Sequence, residues 1–134
     1  MKALSVKNPY ANLIRLGLKK IETRSRFTYH RGDVLICASK KSIDIADVFD
    51  PYGALINVEL RPTLYANSGM AICVASIIDV EPFGYRLEDK AFVEYDPSKT
   101  LYAWPLENIR PIEPFEVKGK LGFFDVDDSL IKYL

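Results

Sequence analysis

Three of the four charged side chains in one short segment could act together on a ligand. They are Lys19, Glu22 and Arg24 in Gly17-Leu18-Lys19-Lys20-Ile21-Glu22-Thr23-Arg24-Ser25. On an extended chain side chains alternate, so Lys20, Glu22 and Arg24 share one strand face, and Ile21 and Thr23 share the other. Lys19, at the corner where a helix would end, can reach the same site. A carboxylate flanked by cations stays ionised, and an Arg fork beside it can grip a phosphate or a base edge. Spacing alone equally allows a solvated strand face, whose exposed ion pairs contribute only ~0–1 kcal/mol each.

The neighbouring sequence supplies the elements that must position these groups. Lys2–Val6 reads as a strand. Asn8 can cap a helix and Pro9 can open it, while Tyr10, Leu13, Ile14 and Gly17 recur at helical spacing, with Gly17 as the stop. This predicts a helix over 9–16. A half-exposed strand over 20–25, an Arg31-Gly32-Asp33 turn and a buried strand over 33–39 follow. Ile43, Ile45, Ala46 and Phe49 suit a short helix ending at Asp50-Pro51, and a second helix fits from 52 or 53 to Leu60. Gly69–Val80 is a continuous β-branched strand, and 83–99 is a loop with a helical turn over 87–92. Pro105 and Pro111 interrupt a strand region over 101–112, which implies an edge position or a bulge. Pro114–Val117 and Leu121–Val126 flank the Lys118-Gly119-Lys120 turn or pair through it, and Asp127 caps a last turn. Five or six short strands with few helices predict an α+β, mostly β chain: a small, partly open β-barrel.

The 134 residues, 49% apolar and 27% charged, suit one folded domain spanning 1–134. The longest apolar stretch, Ala71–Ile78, falls short of the ~20 residues of a membrane helix, and no apolar leader follows Lys2. The expectation is a cytoplasmic protein with no membrane partner. Cys37 and Cys73 sit in apolar runs and read as reduced, packed thiols. A single His and no ligand-like Cys spacing give no metal site, and no cofactor is expected.

Eighteen basic and eighteen acidic residues sum to zero, which weighs against bulk coating of nucleic acid. The charges are not evenly spread. Residues 1–41 hold ten basic side chains against two acidic ones, and the remainder holds eight against sixteen. The acidic excess is dispersed, as on a solvated face; the lesser alternative is a surface for a basic protein partner, whose identity the sequence leaves unknown.

The motifs together resemble the ASCH family of PUA-like domains. The resemblance rests on Asn8-Pro9-Tyr10-Ala11, then Gly17-x-Lys19-x-x-Glu22-x-Arg24-Ser25, then Arg31-Gly32 and Ile36-x-Ala38-Ser39. It continues through Tyr102-x-Trp104-x-Leu106-x-Asn108, Pro114 and Lys118-Gly119-Lys120-x-Gly122-x-Phe124. It implies a PUA-like open barrel with a helix-lined cleft that recognises single-stranded RNA or a modified nucleoside or nucleotide. The implied cleft is lined by Lys19, Glu22, Arg24 and Arg31, with Pro9 and Tyr10 at the rim and Tyr102 and Trp104 on the facing strand. Aromatic walls can stack a base, and Glu22 can accept from an exocyclic amine. Trp104 equally fits a half-buried packing role. Some small family members resemble an amidohydrolase of N4-acylated cytidine that uses the motif Lys and a Thr two residues before the Arg. Lys19 matches the former, whereas Glu22 stands at the latter position. In that alternative Lys19 would stabilise an oxyanion and Glu22 would act as base. Other members have been proposed as ribonucleases, for which this chain offers no His pair or metal cluster.

Overall fold

The first strand, β1 (Lys2–Asn8), already shows the pattern on which the sheet is built: Ala3 faces one way, Leu4 and Val6 the other, and all three are buried. In the computed structural model, which describes residues 1–51, 53 and 58–134, β1 leads into helix α1 (Tyr10–Arg15). There follow β2 (Ile21–Arg24), β3 (Gly32–Ser42), a short helix α2 (Arg61–Leu64) and β4 (Met70–Ile77). The two-residue β5 (Glu81–Pro82), helix α3 (Glu88–Ala91), β6 (Tyr102–Glu116) and β7 (Phe123–Asp125) complete the order. The chain is mixed α+β and mostly β.

Seven strands form one sheet in the order β2-β6-β4-β3-β1-β7, with β5 also pairing β6. The β1–β3 pair is parallel and the others are antiparallel. Among the described residues no backbone pairing joins β2 to β7, so the sheet is not closed into a barrel. Side chains nevertheless cross between its ends. Trp104 of β6 stacks on Phe123 of β7 with ring centres 5.8 Å apart, and Arg24 of β2 donates to the Ser5 carbonyl of β1 at 2.6 Å.

β3 and β4 read as uninterrupted apolar runs because both faces are covered, as expected for interior strands. Val34, Ile36, Ala38, Ile72 and Ile77 pack with Ala11 and Ile14 of α1 on one side. Leu35, Cys37, Ala71 and Val74 pack with Ile112 and Phe124 on the other. Cys37 and Cys73 are free thiols, and burial pushes both up to about 12.

Several elements differ from expectation. The Asn8–Pro9 peptide is cis, Pro9 itself occupies the cap position, and the Asn8 side chain makes no cap bond to the helix backbone. Instead Asn8 accepts from Asn12 at 3.0 Å and donates to the Ala66 carbonyl at 3.2 Å, tying α1 to the segment after α2. Pro105 and Pro111 do not push β6 to an edge. The strand runs through fifteen residues between β4 and β2. The ladder with β4 shifts register between Ala71 and Cys73, beside Pro111, and between Val74 and Ser76, where Asn108 takes φ 52°, as the bulge alternative implied. Residues 114–116 belong to this strand, and β7 pairs with β1, so no hairpin forms across residues 118–120. The short helix expected near 43–49 reduces to a single turn, Ile45–Asp47. The helix expected from 52 or 53 to Leu60 lies largely outside the described residues; its end, Val58–Leu60, is a 3-10 turn running into α2. Asp127 caps the last turn as expected, accepting from the Ser129 amide at 2.9 Å.

Candidate functional site

After α1 the chain turns inward. The Leu18 and Lys19 amides both donate to the Leu13 carbonyl at 3.0 Å, and Gly17 takes φ +79°, a conformation that favours glycine. This turn drives the Lys19 side chain into the interior, where it is 0% exposed. Its Nζ donates to the Ala91 carbonyl at the end of α3 and lies 4.6 Å from the centre of the Tyr10 ring. Burial lowers the Lys19 pKa to about 8, Glu22 opposes that fall, and Arg24 adds to it. Tyr10 is pushed up to about 12, by burial first and then by the charge of Glu22.

Glu22 is buried on β2, and both its oxygens are engaged. Oε2 accepts from Arg24 Nε at 3.0 Å and lies 2.9 Å from its terminal nitrogen, while Oε1 accepts from the Thr23 amide at 3.1 Å. The structure thus brings Tyr10, Lys19, Glu22 and Arg24 into one cluster. Lys20 is not part of it. Its amide bonds the Lys90 carbonyl at 2.8 Å, and its side chain lines a separate cleft of about 590 Å³ whose charges are mixed: Arg86 and Lys90 stand with Glu81 and Glu107.

Of the remaining expected site residues, Trp104 and Tyr102 stand opposite the cluster on β6. Pro9 is buried and forms no rim. Trp104 pairs with Glu22 across the strands but is only 4% exposed; its indole N–H donates to the Arg26 carbonyl at 3.2 Å. Its ring packs in the core and offers no open face. Tyr102, opposite Arg24 in the same pairing, is half-buried and meets Phe27 edge to face at 5.8 Å. Arg31 folds back on its own loop, donating to the Thr28 carbonyl at 2.8 Å and to that of His30 at 3.0 Å.

Beside this cluster runs a groove of about 1030 Å³ whose walls carry Lys7, Lys40, Lys41, Lys118 and Lys120, together with Arg24, against one acidic residue, Glu116. The lysines come from three distant stretches of chain. Parallel pairing of Val6 with Ala38 and of Asn8 with Ser42 sets Lys7 beside Lys40 and Lys41. The Val117 amide donates to the Gly69 carbonyl at 3.2 Å and brings in the 118–120 loop. Gly119 then approaches so closely that an added Cβ would fall 2.7 Å from Ser5 Oγ. Sequence reasoning assigned none of these lysines to the site. The basic excess of residues 1–41 was a partial signal; the convergence depends on pairing that spacing does not reveal. A concave surface lined by one sign of charge concentrates its field and attracts polyanions.

A sequence model of the ASCH domain matches residues 4–118. The chain belongs to the ASCH family. Three solved structures of the ASCH protein from Zymomonas mobilis share the ASCH fold seen here. One, a tyrosine-to-phenylalanine variant, matches with a TM-score of 0.63 at 14% identity, covering 98% of each chain. A serine-to-alanine variant matches at 0.64 and 14% identity, covering 98% of this chain and 96% of that one. The unsubstituted protein matches at 0.64 and 13% identity, covering 96% and 88%. No curated protein sequence matches this ASCH chain. Among its described residues no helix is long and apolar enough to cross a membrane.

Proposed function

We propose that this ASCH domain binds single-stranded RNA, with phosphates along the lysine groove and Arg24 at its inner wall. The supporting observation is the convergence of five lysines and Arg24 against a single acidic residue on a chain of zero net charge. Neutrality of the whole disfavours sequence-blind coating of a long duplex, while a local cationic groove suits a short, flexible anion. The approach of β2 and β6 to β1 and β7 through Arg24–Ser5 and Trp104–Phe123 fits the open PUA-like barrel that the family resemblance implies. The test is fluorescence anisotropy with labelled oligoribonucleotides of mixed sequence. Saturable binding that weakens with salt, and weakens again in a Lys40→Gln/Lys41→Gln variant, supports the reading. Salt-insensitive or absent binding overturns it.

One observation favours a second reading, hydrolysis of an N4-acylated cytidine-type nucleoside: a buried amine with its pKa lowered to about 8 beside a carboxylate. Two others weigh against it. Lys19 has no exposed surface, and both oxygens of Glu22 are already occupied, which lowers its value as a base. Binding is therefore the better supported activity. Incubation with N4-acetylcytidine followed by chromatography separates the two. Release of cytidine that stops in Lys19→Met would establish the hydrolase, and no turnover beside an active control enzyme would remove it.

A further inference from the structure

The loop after β2 holds two rings in water that no core residue needs. Phe27 is 45% exposed and Tyr29 is 90% exposed. They meet edge to face at 4.9 Å, and Phe27 in turn meets Tyr102 edge to face at 5.8 Å. Tyr102 is the cross-strand partner of Arg24, so the two side chains leave the same sheet face about 5 Å apart at Cβ. Arg24 lines the lysine groove. The three rings thus form a connected set that starts beside Arg24, a residue of the groove wall.

The loop is held in shape. The Arg31 guanidinium carbon sits 5.9 Å from the Phe27 ring centre, and Arg31 bonds two loop carbonyls. The His30 amide donates to Thr28 Oγ1 at 3.1 Å, and the His30 ring is 3.0 Å from the Asp33 carbonyl and edge to face with Phe123 at 5.4 Å. A braced display of aromatic surface beside a cationic groove has the composition of a single-strand site: cations follow the backbone and rings take the bases. Duplex bases are already stacked and cannot use it.

We propose that Phe27, Tyr29 and Tyr102 form a base-stacking platform that receives unpaired bases of single-stranded RNA whose phosphates lie in the adjoining groove. The platform rests on the reading that RNA occupies that groove. It explains why the rings stand in solvent and why Tyr102, rather than the buried Trp104, supplies the aromatic face next to Arg24.

The experiment compares labelled oligouridylate with an abasic oligomer of equal length, using wild-type protein, Tyr29→Ala, Phe27→Ala/Tyr29→Ala and Tyr29→Trp. Tyr29 is so exposed that its replacement leaves the fold intact, as circular dichroism verifies. Each ring lost weakens oligouridylate binding about tenfold, the salt slope stays unchanged, and Tyr29→Trp binds as wild type. Abasic binding is the same for every variant. Wild-type affinity in both alanine variants overturns the platform and leaves the groove standing. Salt-insensitive or absent binding by wild type overturns both. A wild-type dimer in sedimentation that Tyr29→Ala dissociates, with RNA affinity unchanged, would make the rings a protein interface and reject the proposal.

Discussion

The guanidinium of Arg24 donates to the Ser5 carbonyl at 2.6 Å, joining a strand at one end of the sheet to one near the other. The same group holds the buried carboxylate of Glu22, so one side chain closes the gap between the sheet's ends and sets the charge balance of the interior cluster. It also forms part of the groove wall, so structure and proposed binding meet at a single residue.

Removing that group strands a carboxylate. Arg24→Gln should destabilise the protein by about 2–3 kcal/mol, because the buried Glu22 carboxyl loses its main partner. Thermal unfolding should fall by about 5–10 °C. Adding Glu22→Gln should recover part of the loss. An additive double variant would show that the pair does not act as a unit.

Lys19 makes stability depend on pH in a definite direction. Its folded pKa of about 8 lies below the 10.5 of an ordinary lysine, so above pH 8 the unfolded chain binds more protons than the native one. Stability then rises with pH, by up to about 1.4 kcal/mol per unit. Cys37, Cys73 and Tyr10 have raised values and act oppositely, the thiols from pH 9 upward and the phenol from pH 10. Urea unfolding should therefore show increasing stability from pH 8 to 9 and a decline above. Lys19→Met should lack the increase.

Trp104 should behave as a core residue. It is the chain's single tryptophan, so its fluorescence can be read directly. Iodide should quench it far less than free tryptophan, and saturating RNA should change that little. Trp104→Phe should cost about 1–2 kcal/mol, from the lost bond to Arg26 and the smaller ring against Phe123.

The 118–120 loop should act through charge. Each phosphate contact contributes about −0.7 to the slope of log affinity against log salt on a single strand. Lys118→Gln/Lys120→Gln should therefore make the slope shallower by about 1.4, with unfolding temperature unchanged. An unchanged slope would remove the loop from the site.

The polar cluster was legible in the sequence because it is local: Lys19, Glu22 and Arg24 lie within six residues, and strand alternation brings Glu22 to Arg24. Its burial was not legible, since Lys19 is covered by Ala91, far along the chain. β3 and β4 were readable as apolar runs for the physical reason that both their faces are covered. For β6 the prolines allowed an edge position or a bulge, and the strand lies inside the sheet with register shifts against β4, the second of the two. Trp104 and Arg31 carried the right chemistry for a ligand, but the Trp104 indole N–H and one Arg31 terminal nitrogen donate to backbone carbonyls. Lys7, Lys40 and Lys41 were visible only as composition, because the parallel β1–β3 pairing that gathers them joins residues about thirty positions apart, and Lys118 and Lys120 were legible as a turn but not as neighbours of these.

Binding of RNA in the lysine groove beside Arg24 is tested most directly by amide chemical-shift mapping with a short oligouridylate. The expected result is perturbation concentrated at Lys7, Ser39, Lys41, Gly69, Gly119 and Gly122, on the walls of that groove. Shifts concentrated instead at Gly17, Leu87 and Asn108, around the separate mixed-charge cleft, would contradict it.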